Sequence, residues 1–378
     1  MDEHLNKVIV SIICTALDAK VNNQFITADD IACVEVLANK QQITPIITYG
    51  LKKLNYSDLL TETLKNSEAK AIFDYTQQKV SLDEISEALE MADISYIPLK
   101  GSAIRDLYPE PWMRTCADID VLIKKDDIDN AIRVLESYTS FKFTKRGFHE
   151  VHFVNKYVHL ELHYSIETVV AQNGFSFSES WNYVLTSEAS CACSFTPEYN
   201  LFYIITHAAK HFLKNGGIGI RPILDIYIIK THTHFDDNKV KALCKCAGDL
   251  GFYEMICKLI DVWFNGDSHD EYSSIFEDVV LAGGVFGSQH SRIVSNKRND
   301  AGKRYIKRRI FKTSRELQRY YPMCKKYHIL VPFYQVIRWI HLLKYKRPKA
   351  YLAEFKMANA VDQSEVDNYD KLLNAMGF

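Results

Sequence analysis

Residues 96–123, YIPLKGSAIRDLYPEPWMRTCADIDVLI, contain the pattern that decides the fold. The first four residues form a short apolar run, which predicts a strand. Gly101 and Ser102 follow and predict a turn that opens a short helix. Residues 117–123 form a second, mostly apolar run, which predicts another strand. The stretch therefore predicts a strand, a glycine turn, a short helix and a strand, in that order.

The second predicted strand carries two acidic residues. Asp118 and Asp120 are two residues apart, so both carboxylates project from one face of the strand. Ile119 and Val121 project from the opposite face and suit a core. Two neighbouring carboxylates repel each other and lose hydration unless a positive charge lies between them. We therefore expect a cation on this face, and replacing either aspartate by asparagine should leave the stability unchanged or slightly higher.

The identity of that cation follows from the chemistry of the ligands. Mg²⁺ prefers oxygen ligands and is commonly held by one or two carboxylates together with the phosphates of a substrate. The upstream Gly101 and Ser102 fit such a site, because glycine lets a backbone approach a phosphate and a helix start favours an anion. The two halves of the stretch together predict one phosphate and metal site.

The stretch resembles the nucleotidyltransferase fold of the DNA polymerase β superfamily, in which Gly-Ser is followed, after a short helix, by Asp-x-Asp on the next strand. It is similar in more detail to the bacterial family of uncharacterised nucleotidyltransferases. The residues that carry this resemblance are Leu99, Lys100, Gly101, Arg114, Asp118, Ile119, Asp120, Glu161 and His163. Two departures are a spacing of fifteen residues between Ser102 and Asp118, and a glutamate as the third acid.

The resemblance implies an α+β fold: a small mixed-sheet, polymerase β-like core flanked by helical segments. It implies a helical N-terminal segment (1–87), the nucleotidyltransferase core (88–185), a helical domain (186–285) and a basic helical C-terminal segment (286–378). It also implies catalytic residues that hold two Mg²⁺ ions, or Mn²⁺ in their place: Asp118, Asp120 and Glu161. Nucleotide binding is implied for Lys100, Gly101, Ser102 and Arg114.

A downstream region resembles the same family, with a helix bearing histidine and lysine, a glycine loop and Arg-x-x-x-Asp. The resemblance implies that Lys210, His211 and Arg221 bind the nucleotide or the acceptor, and that Asp225 holds a neighbouring basic side chain. The alternative is a cluster of ion pairs between helices. His207 and His211 are spaced like metalloprotease ligands, but the glutamate base is missing, so we expect no zinc site there.

Helices and strands are predicted around this core. Residues 1–80 predict helices, and the capping-box pattern from Ser81 to Glu84 predicts a new helix start. An amphipathic pattern predicts a helix at 124–137. Alternating residues predict strands at 141–144, 150–155 and 158–164. On the last of these strands His159, Glu161 and His163 share one face. The roles of His149, His163 and His207 are left open.

Composition bounds the class of protein. The 378 residues, of which 47% are hydrophobic, can bury a large core and suggest two or three domains. No apolar run reaches the roughly 18 residues that a membrane span needs. The N-terminus also lacks the basic, apolar and small-residue regions, in that order, of a signal peptide. We therefore expect a cytoplasmic protein without a membrane partner. The nine cysteines lack paired zinc-ligand spacing, and we expect free thiols.

Charge is unevenly distributed along the chain. The net charge is −1, but residues 288–350 carry 18 lysines and arginines against 2 acids. This segment could dock on the acidic remainder, or bind RNA through its cations and aromatic residues. The aromatic residues are Tyr305, Phe311, Tyr320 and Tyr321. We favour docking, because the overall charge is near zero and several apolar residues suit a core: Leu317, Ile329, Leu330 and Ile337.

These patterns predict a nucleotidyltransferase that takes an NTP and modifies a small molecule, a sugar or a protein. One alternative is a toxin-like enzyme of the same chemistry acting on RNA. Another is a protein that keeps the fold and binds a nucleotide or a partner without turnover. The sequence predicts neither the base, nor the acceptor, nor the oligomeric state.

Overall fold

The computed structural model describes residues 3–20, 24–166, 177–284, 287–299, 311–321, 323–345, 353 and 356–378. The first helices are α1 (Glu3–Ala16), α2 (Ala28–Gln41), α3 (Thr44–Lys53), α4 (Glu62–Met91), α5 (Gly101–Ile104) and α6 (Ile128–Tyr138). The next are α7 (Pro197–Asn215), α8 (Ile220–His232), α9 (Asp237–Ala247), α10 (Leu250–Ile260) and α11 (Glu271–Ala282). The last are α12 (Gln289–Asn299), α13 (Ser314–Tyr320), α14 (Met323–Lys326), α15 (Val331–Tyr345) and α16 (Gln363–Ala375).

Within the described residues, seven strands form one mixed sheet in the order β3-β4-β5-β2-β1-β7-β6. The strands are β1 (Tyr96–Pro98), β2 (Asp118–Ile123), β3 (Lys142–Arg146), β4 (Glu150–Val154), β5 (His159–His163), β6 (Val184–Ser187) and β7 (Ser190–Phe195). β2 runs parallel to β5 and antiparallel to β1, while β1 runs parallel to β7. The predicted α+β fold is confirmed, as are the strands expected near 141–144, 150–155 and 158–164.

The two faces of β2 enter different parts of the interior. Ile119 and Val121 pack in an apolar cluster with Leu89 of α4 and Leu135 of α6. On the opposite face Leu122 joins a larger cluster, to which α1 to α3, α7 to α11 and α16 contribute. Alternate residues of β2 therefore belong to two different hydrophobic cores. The two aspartates face the side on which α7 lies.

Local sequence fixes the ends of α7, the helix nearest the polar face. The Thr196 side chain accepts a hydrogen bond from Tyr199 N, and Pro197 occupies the first turn, where its missing N–H costs nothing. At the other end Gly216 adopts a left-handed backbone with φ of 76°. A Cβ there would lie 2.4 Å from Ser291 O, so glycine is required for this close approach as well.

The predicted helix start at Ser81 is wrong, because α4 runs without a break from Glu62 to Met91 and begins at the Thr61 N-cap. Ser81 lies in the helix interior and its Oγ accepts a hydrogen bond from Asn155 Nδ2 at 3.2 Å. Glu84 accepts a hydrogen bond from Ser140 Oγ at 2.9 Å. Both side chains hydrogen-bond to residues of neighbouring loops. The residues of the capping-box pattern therefore make tertiary contacts and do not start a helix.

The hairpin of β6 and β7 was not predicted. β7 ends at Phe195, beyond residue 185 where the sequence analysis ends the core. The central residues of β7 lack the alternating β-branched side chains that are typical of a strand. The carboxylate of Glu90 in α4 holds it by accepting hydrogen bonds from the backbone N–H groups of Cys191 and Ala192. All nine cysteines are free thiols.

The basic segment 288–350 is described only in part, and residues 300–310, 322 and 346–350, including Tyr305, lie outside the described residues. Leu317 is fully buried, as expected. The expectation for Ile329 is wrong, because its side chain is 87% exposed. A helix was expected near 329–343, and α15 occupies Val331–Tyr345. None of the described helices combines the length and apolar character needed to cross a lipid bilayer.

Asp249, just before α10, should make the stability depend on pH. The residue is fully buried, and neither carboxylate oxygen has a hydrogen-bond partner among the described residues. Burial raises the pKa of Asp249 to about 7, above the value of about 3.9 expected in the unfolded chain. The folded state therefore binds more protons between these two values, and the free energy of unfolding should decrease as the pH rises through this window.

Asp249→Asn should remove this contribution, which has a slope of at most about 1.4 kcal/mol per pH unit. Urea unfolding across the window measures it, with the exposed Asp58→Asn as control. An unchanged slope in Asp249→Asn would contradict the assignment.

Candidate active site

The polar face of the sheet centres on Asp120. Its side chain is buried, and Oδ1 accepts a hydrogen bond from Lys100 Nζ at 2.7 Å. The same oxygen lies 2.8 Å from His163 Nε2. The parallel register of β2 and β5 places Asp120 opposite Glu161 and Asp118 opposite His159. Three predicted acids therefore lie on one face of two neighbouring strands.

Ligand atoms of Asp120, Glu161 and His163 all lie within 4.8 Å of one another, so these three side chains could hold a metal ion. His163, to which the sequence analysis gave no role, is part of this group. Asp118 shares the face but does not belong to it. The structure thus brings two of the three predicted acids together directly, and leaves the third beside them.

The electrostatics of this face differ from residue to residue. Burial opposes the ionisation of Asp120, but Lys100 and His163 outweigh it and hold the pKa of Asp120 below its ordinary value. Burial and the charge of Asp120 raise the pKa of Asp118 and of Glu161. The face therefore holds one firmly ionised carboxylate and two whose negative charge is unfavourable, and an added cation would stabilise all three.

Lys100 has an unusual backbone. Its φ is 49° and its ψ is −122°, a region that side-chain-bearing residues rarely adopt and that costs of the order of 1–3 kcal/mol. The conformation places Lys100 just before α5, with its ammonium on Asp120. Burial opposes its charge, but Tyr203 and Asp120 outweigh burial and raise the pKa of Lys100. The strained backbone at Lys100 therefore holds a cation at the centre of the site.

Gly101 and Ser102 begin α5 directly after this turn. A Cβ on Gly101 would lie 2.1 Å from Cys116 Sγ, so a larger residue here would have to displace that side chain. Ser102 N donates a hydrogen bond to Leu99 O at 3.2 Å, which closes the turn. The turn at Gly101 therefore packs closely against the chain that leads into β2.

One face of α7 covers the site. Tyr203, His207 and His211 are spaced by four residues, with ring centroids 6.2 Å apart for the first pair and 4.6 Å for the second. Burial and Lys100 lower the pKa of His207 far below its ordinary value, and the same two causes lower that of His211 to about 4. Both imidazoles are neutral at neutral pH. Tyr203 was missed, although its spacing from His207 was the available signal.

A second buried cluster holds the chain that leads into β2. Arg114 donates two hydrogen bonds to Asp225 of α8, at 2.6 Å and 2.8 Å. The Tyr108 hydroxyl donates to the same carboxylate at 2.7 Å. Arg221 donates to Thr115 O at 3.0 Å, and burial together with Arg114 lowers the pKa of Arg221 to about 10. Arg114 thus lies in a buried ion pair, and its contact with a nucleotide stays a prediction.

An open cleft of about 1110 Å³ lies elsewhere, against α1 and residues 262–278. None of the predicted site residues lines it. The chemistry assembled on the sheet, rather than the volume of this cleft, defines the candidate active site.

A mixed sheet with acids in register on neighbouring strands, preceded by a Gly-Ser turn, defines a nucleotidyltransferase. The chain belongs to the family described as uncharacterised nucleotidyltransferases, whose model matches residues 27–265. It is therefore a transferase with an NTP as substrate, in agreement with the resemblance seen in the sequence. No curated protein matches the sequence.

Among solved structures, the chain is similar to the solution structure of the antibiotic-resistance factor ANT(2'')-Ia. The two are 11% identical with a TM-score of 0.35, and the match covers 51% of this chain and 99% of that one. At that TM-score the similarity supports no conclusion about fold or substrate. The family match and the geometry of the site carry the assignment.

Asp225→Asn should destabilise the fold. It breaks the two-bond pair with Arg114 and leaves that buried guanidinium group without its carboxylate, which costs about 3–5 kcal/mol. Chemical unfolding measures the loss. Asp267→Asn is the matched control, because it breaks a surface pair with Lys258, worth about 1 kcal/mol or less. Equal losses in the two variants would show that the buried pair has no special structural role.

Proposed function

We propose that the protein transfers a nucleoside monophosphate from an NTP to an acceptor hydroxyl and releases pyrophosphate. The observation that supports this most directly is the register of β2 and β5, which sets Asp120 beside Glu161. Asp118 lies on the same face beside this pair, so we propose that the triphosphate and the acceptor hydroxyl meet at these three acids. Positioning and charge stabilisation are the main needs of phosphoryl chemistry, and side chains fixed on strands meet both.

The donor set fits a hard divalent cation. Carboxylate oxygens suit Mg²⁺, and the imidazole of His163 makes the site suitable for Mn²⁺ as well. Asp118, Asp120 and Glu161 would hold the ions. When bound, Mg²⁺ neutralises charge on the triphosphate and lowers the pKa of the attacking hydroxyl.

The protein's own cations and polar groups would bind the nucleotide. Lys100 holds a positive charge next to Asp120, and Gly101 and Ser102 follow it at the start of α5. Across the site, Lys210 and His211 lie on α7 and Arg221 lies on α8. We assign nucleotide binding to these residues. Neutral His207 and His211 line this wall without adding charge that would compete with the metal.

The acceptor is proposed to be a small molecule, a sugar or a protein. In the described part of the basic segment, Lys297 donates a hydrogen bond to Val361 O at 3.3 Å, and His290 Nε2 lies 2.6 Å from a Glu365 carboxylate oxygen. Both contacts reach residues outside the segment, which supports docking of the segment over RNA binding. An RNA acceptor remains the alternative.

Asp118→Asn and Asp120→Asn should each lower Mg²⁺-dependent turnover by about 100-fold or more, because each removes a charge from the metal site. Pyrophosphate release at saturating Mg²⁺ measures this, with the exposed Asp126→Asn as control. Full activity in either variant would refute the metal site.

The two aspartate variants should differ in stability. The sequence analysis expected both to be neutral or stabilising. We revise that expectation for Asp120, because its carboxylate contacts Lys100 and His163 and is not only repelled by other acids. Asp120→Asn should therefore lose about 1–3 kcal/mol. Asp118→Asn should lose nothing, because burial and Asp120 already disfavour its charge. Thermal unfolding of both variants tests this difference.

Glu161→Gln should damage transfer far more than nucleotide binding, if Glu161 acts on the acceptor side of the reaction. Binding of a non-hydrolysable NTP and turnover are measured on the same preparation. Equal losses in both would assign Glu161 a structural role.

The acceptor class can be found in one experiment. Each of four labelled NTPs is incubated with cell lysate and enzyme, and the label is followed into small molecules, protein and RNA. Label in RNA would favour the alternative, and no transfer with any NTP would contradict the proposed function. The Asp118→Asn variant is the background control.

A further inference from the structure

A second cluster of ligand atoms lies beside the first on the same face of the sheet. His152, His159 and Glu161 each offer one donor atom, and these atoms lie within 4.8 Å of one another. The antiparallel register of β4 and β5 places His152 opposite Glu161. His152 is 6% exposed, so its ring is held in place by the surrounding structure.

The two distances that involve His152 are close to those between ligands of one ion. His152 Nδ1 lies 3.1 Å from His159 Nε2 and 3.5 Å from Glu161 Oε1. Donor atoms on a tetrahedral Zn²⁺ ion, each about 2.0–2.1 Å from the metal, lie about 3.3 Å apart. The two imidazole rings are nearly parallel, at 8°, with centroids 5.2 Å apart. The donor atoms of His159 and Glu161 lie within 4.8 Å of each other, so a side-chain adjustment of this pair would let the three atoms share one ion.

The outer contact of His152 also suits a metal ligand. Its Nε2 lies 3.4 Å from Glu150 Oε1. A carboxylate on one ring nitrogen favours the tautomer that leaves the lone pair on the other, and metal-binding histidines commonly have such a partner. A proton on Nε2, the nitrogen nearest Glu150, leaves the Nδ1 lone pair of His152 available to the shared position.

We propose that His152, His159 and Glu161 form a transition-metal site whose best-matched ion is Zn²⁺, with a fourth position open. Two imidazoles and one carboxylate select a borderline metal over Mg²⁺, which prefers oxygen ligands. Glu161 belongs to both clusters. A Zn²⁺ ion bound here therefore competes for a ligand of the first cluster and inhibits nucleotidyl transfer. This inhibitory consequence rests on the proposed function, whereas the Zn²⁺ site itself does not.

Zn²⁺ binding is measured on untagged, metal-free protein in competition with a chromophoric chelator and without nucleotide. We expect one equivalent of Zn²⁺. Glu150→Gln should weaken binding by about 10–100-fold, and His159→Gln should weaken it more. The exposed His234→Gln is the control and should bind like the wild type. Co²⁺ in place of Zn²⁺ should give the visible absorption of a tetrahedral site, lost in His159→Gln.

The pair His159→Gln and His163→Gln separates the two clusters, and near-ultraviolet circular dichroism verifies that both variants are folded. Zn²⁺ retained in His163→Gln and lost in His159→Gln supports the proposed site. The reverse result, or no stoichiometric binding by the wild type, overturns it. Zn²⁺ binding without any effect on Mg²⁺-dependent transfer overturns the inhibitory role. Zn²⁺ binding by a protein that shows no transfer under any condition refutes the proposed function and leaves the zinc site standing.

Discussion

The parallel pairing of β2 with β5 is the constraint on which the site depends. It sets the carboxylate of Asp120 beside that of Glu161 in a buried setting, where like charges repel strongly. The opposite face fixes this arrangement, because a shift of one residue would turn Ile119 and Val121 out of the core and the acids into it. The repulsion then requires positive charge nearby, and the ammonium group of Lys100 meets that need.

The second buried charge system serves a different purpose. Arg114 lies four residues before Asp118, and Asp225 lies on α8, so their pair ties the acidic strand to a helix far along the chain. A buried pair of this kind contributes less to net stability than to fixing one geometry. With Tyr108 on the same carboxylate, the approach to β2 has one defined position relative to α7 and α8. The active site is therefore assembled from two regions that are distant in sequence.

Features of the site with a local signature were predictable from the sequence. The alternation in β2 and β5 has a period of two residues, so it shows which acids share a face without any tertiary information. The partner of Arg114 was not predictable from spacing, because the two residues are 111 positions apart. His152 and His159 could be joined only once the register of β4 and β5 was known. Ser81 fits a capping pattern, but its side chain accepts a hydrogen bond from Asn155 and caps no helix. Local sequence does not reveal such a distant partner.

The packing of α16 has a consequence for the order in which the enzyme matures. Tyr369 of α16 stacks on Phe212 of α7, with ring centroids 5.9 Å apart, and the backbone at Met376 lies directly against Gly251 of α10. The helix that lines the catalytic face is thus supported from behind by residues translated long after it. At usual rates of synthesis the delay is on the order of 10 s. On the ribosome, the acidic strands emerge early, and the wall opposite them is completed only when α16 follows.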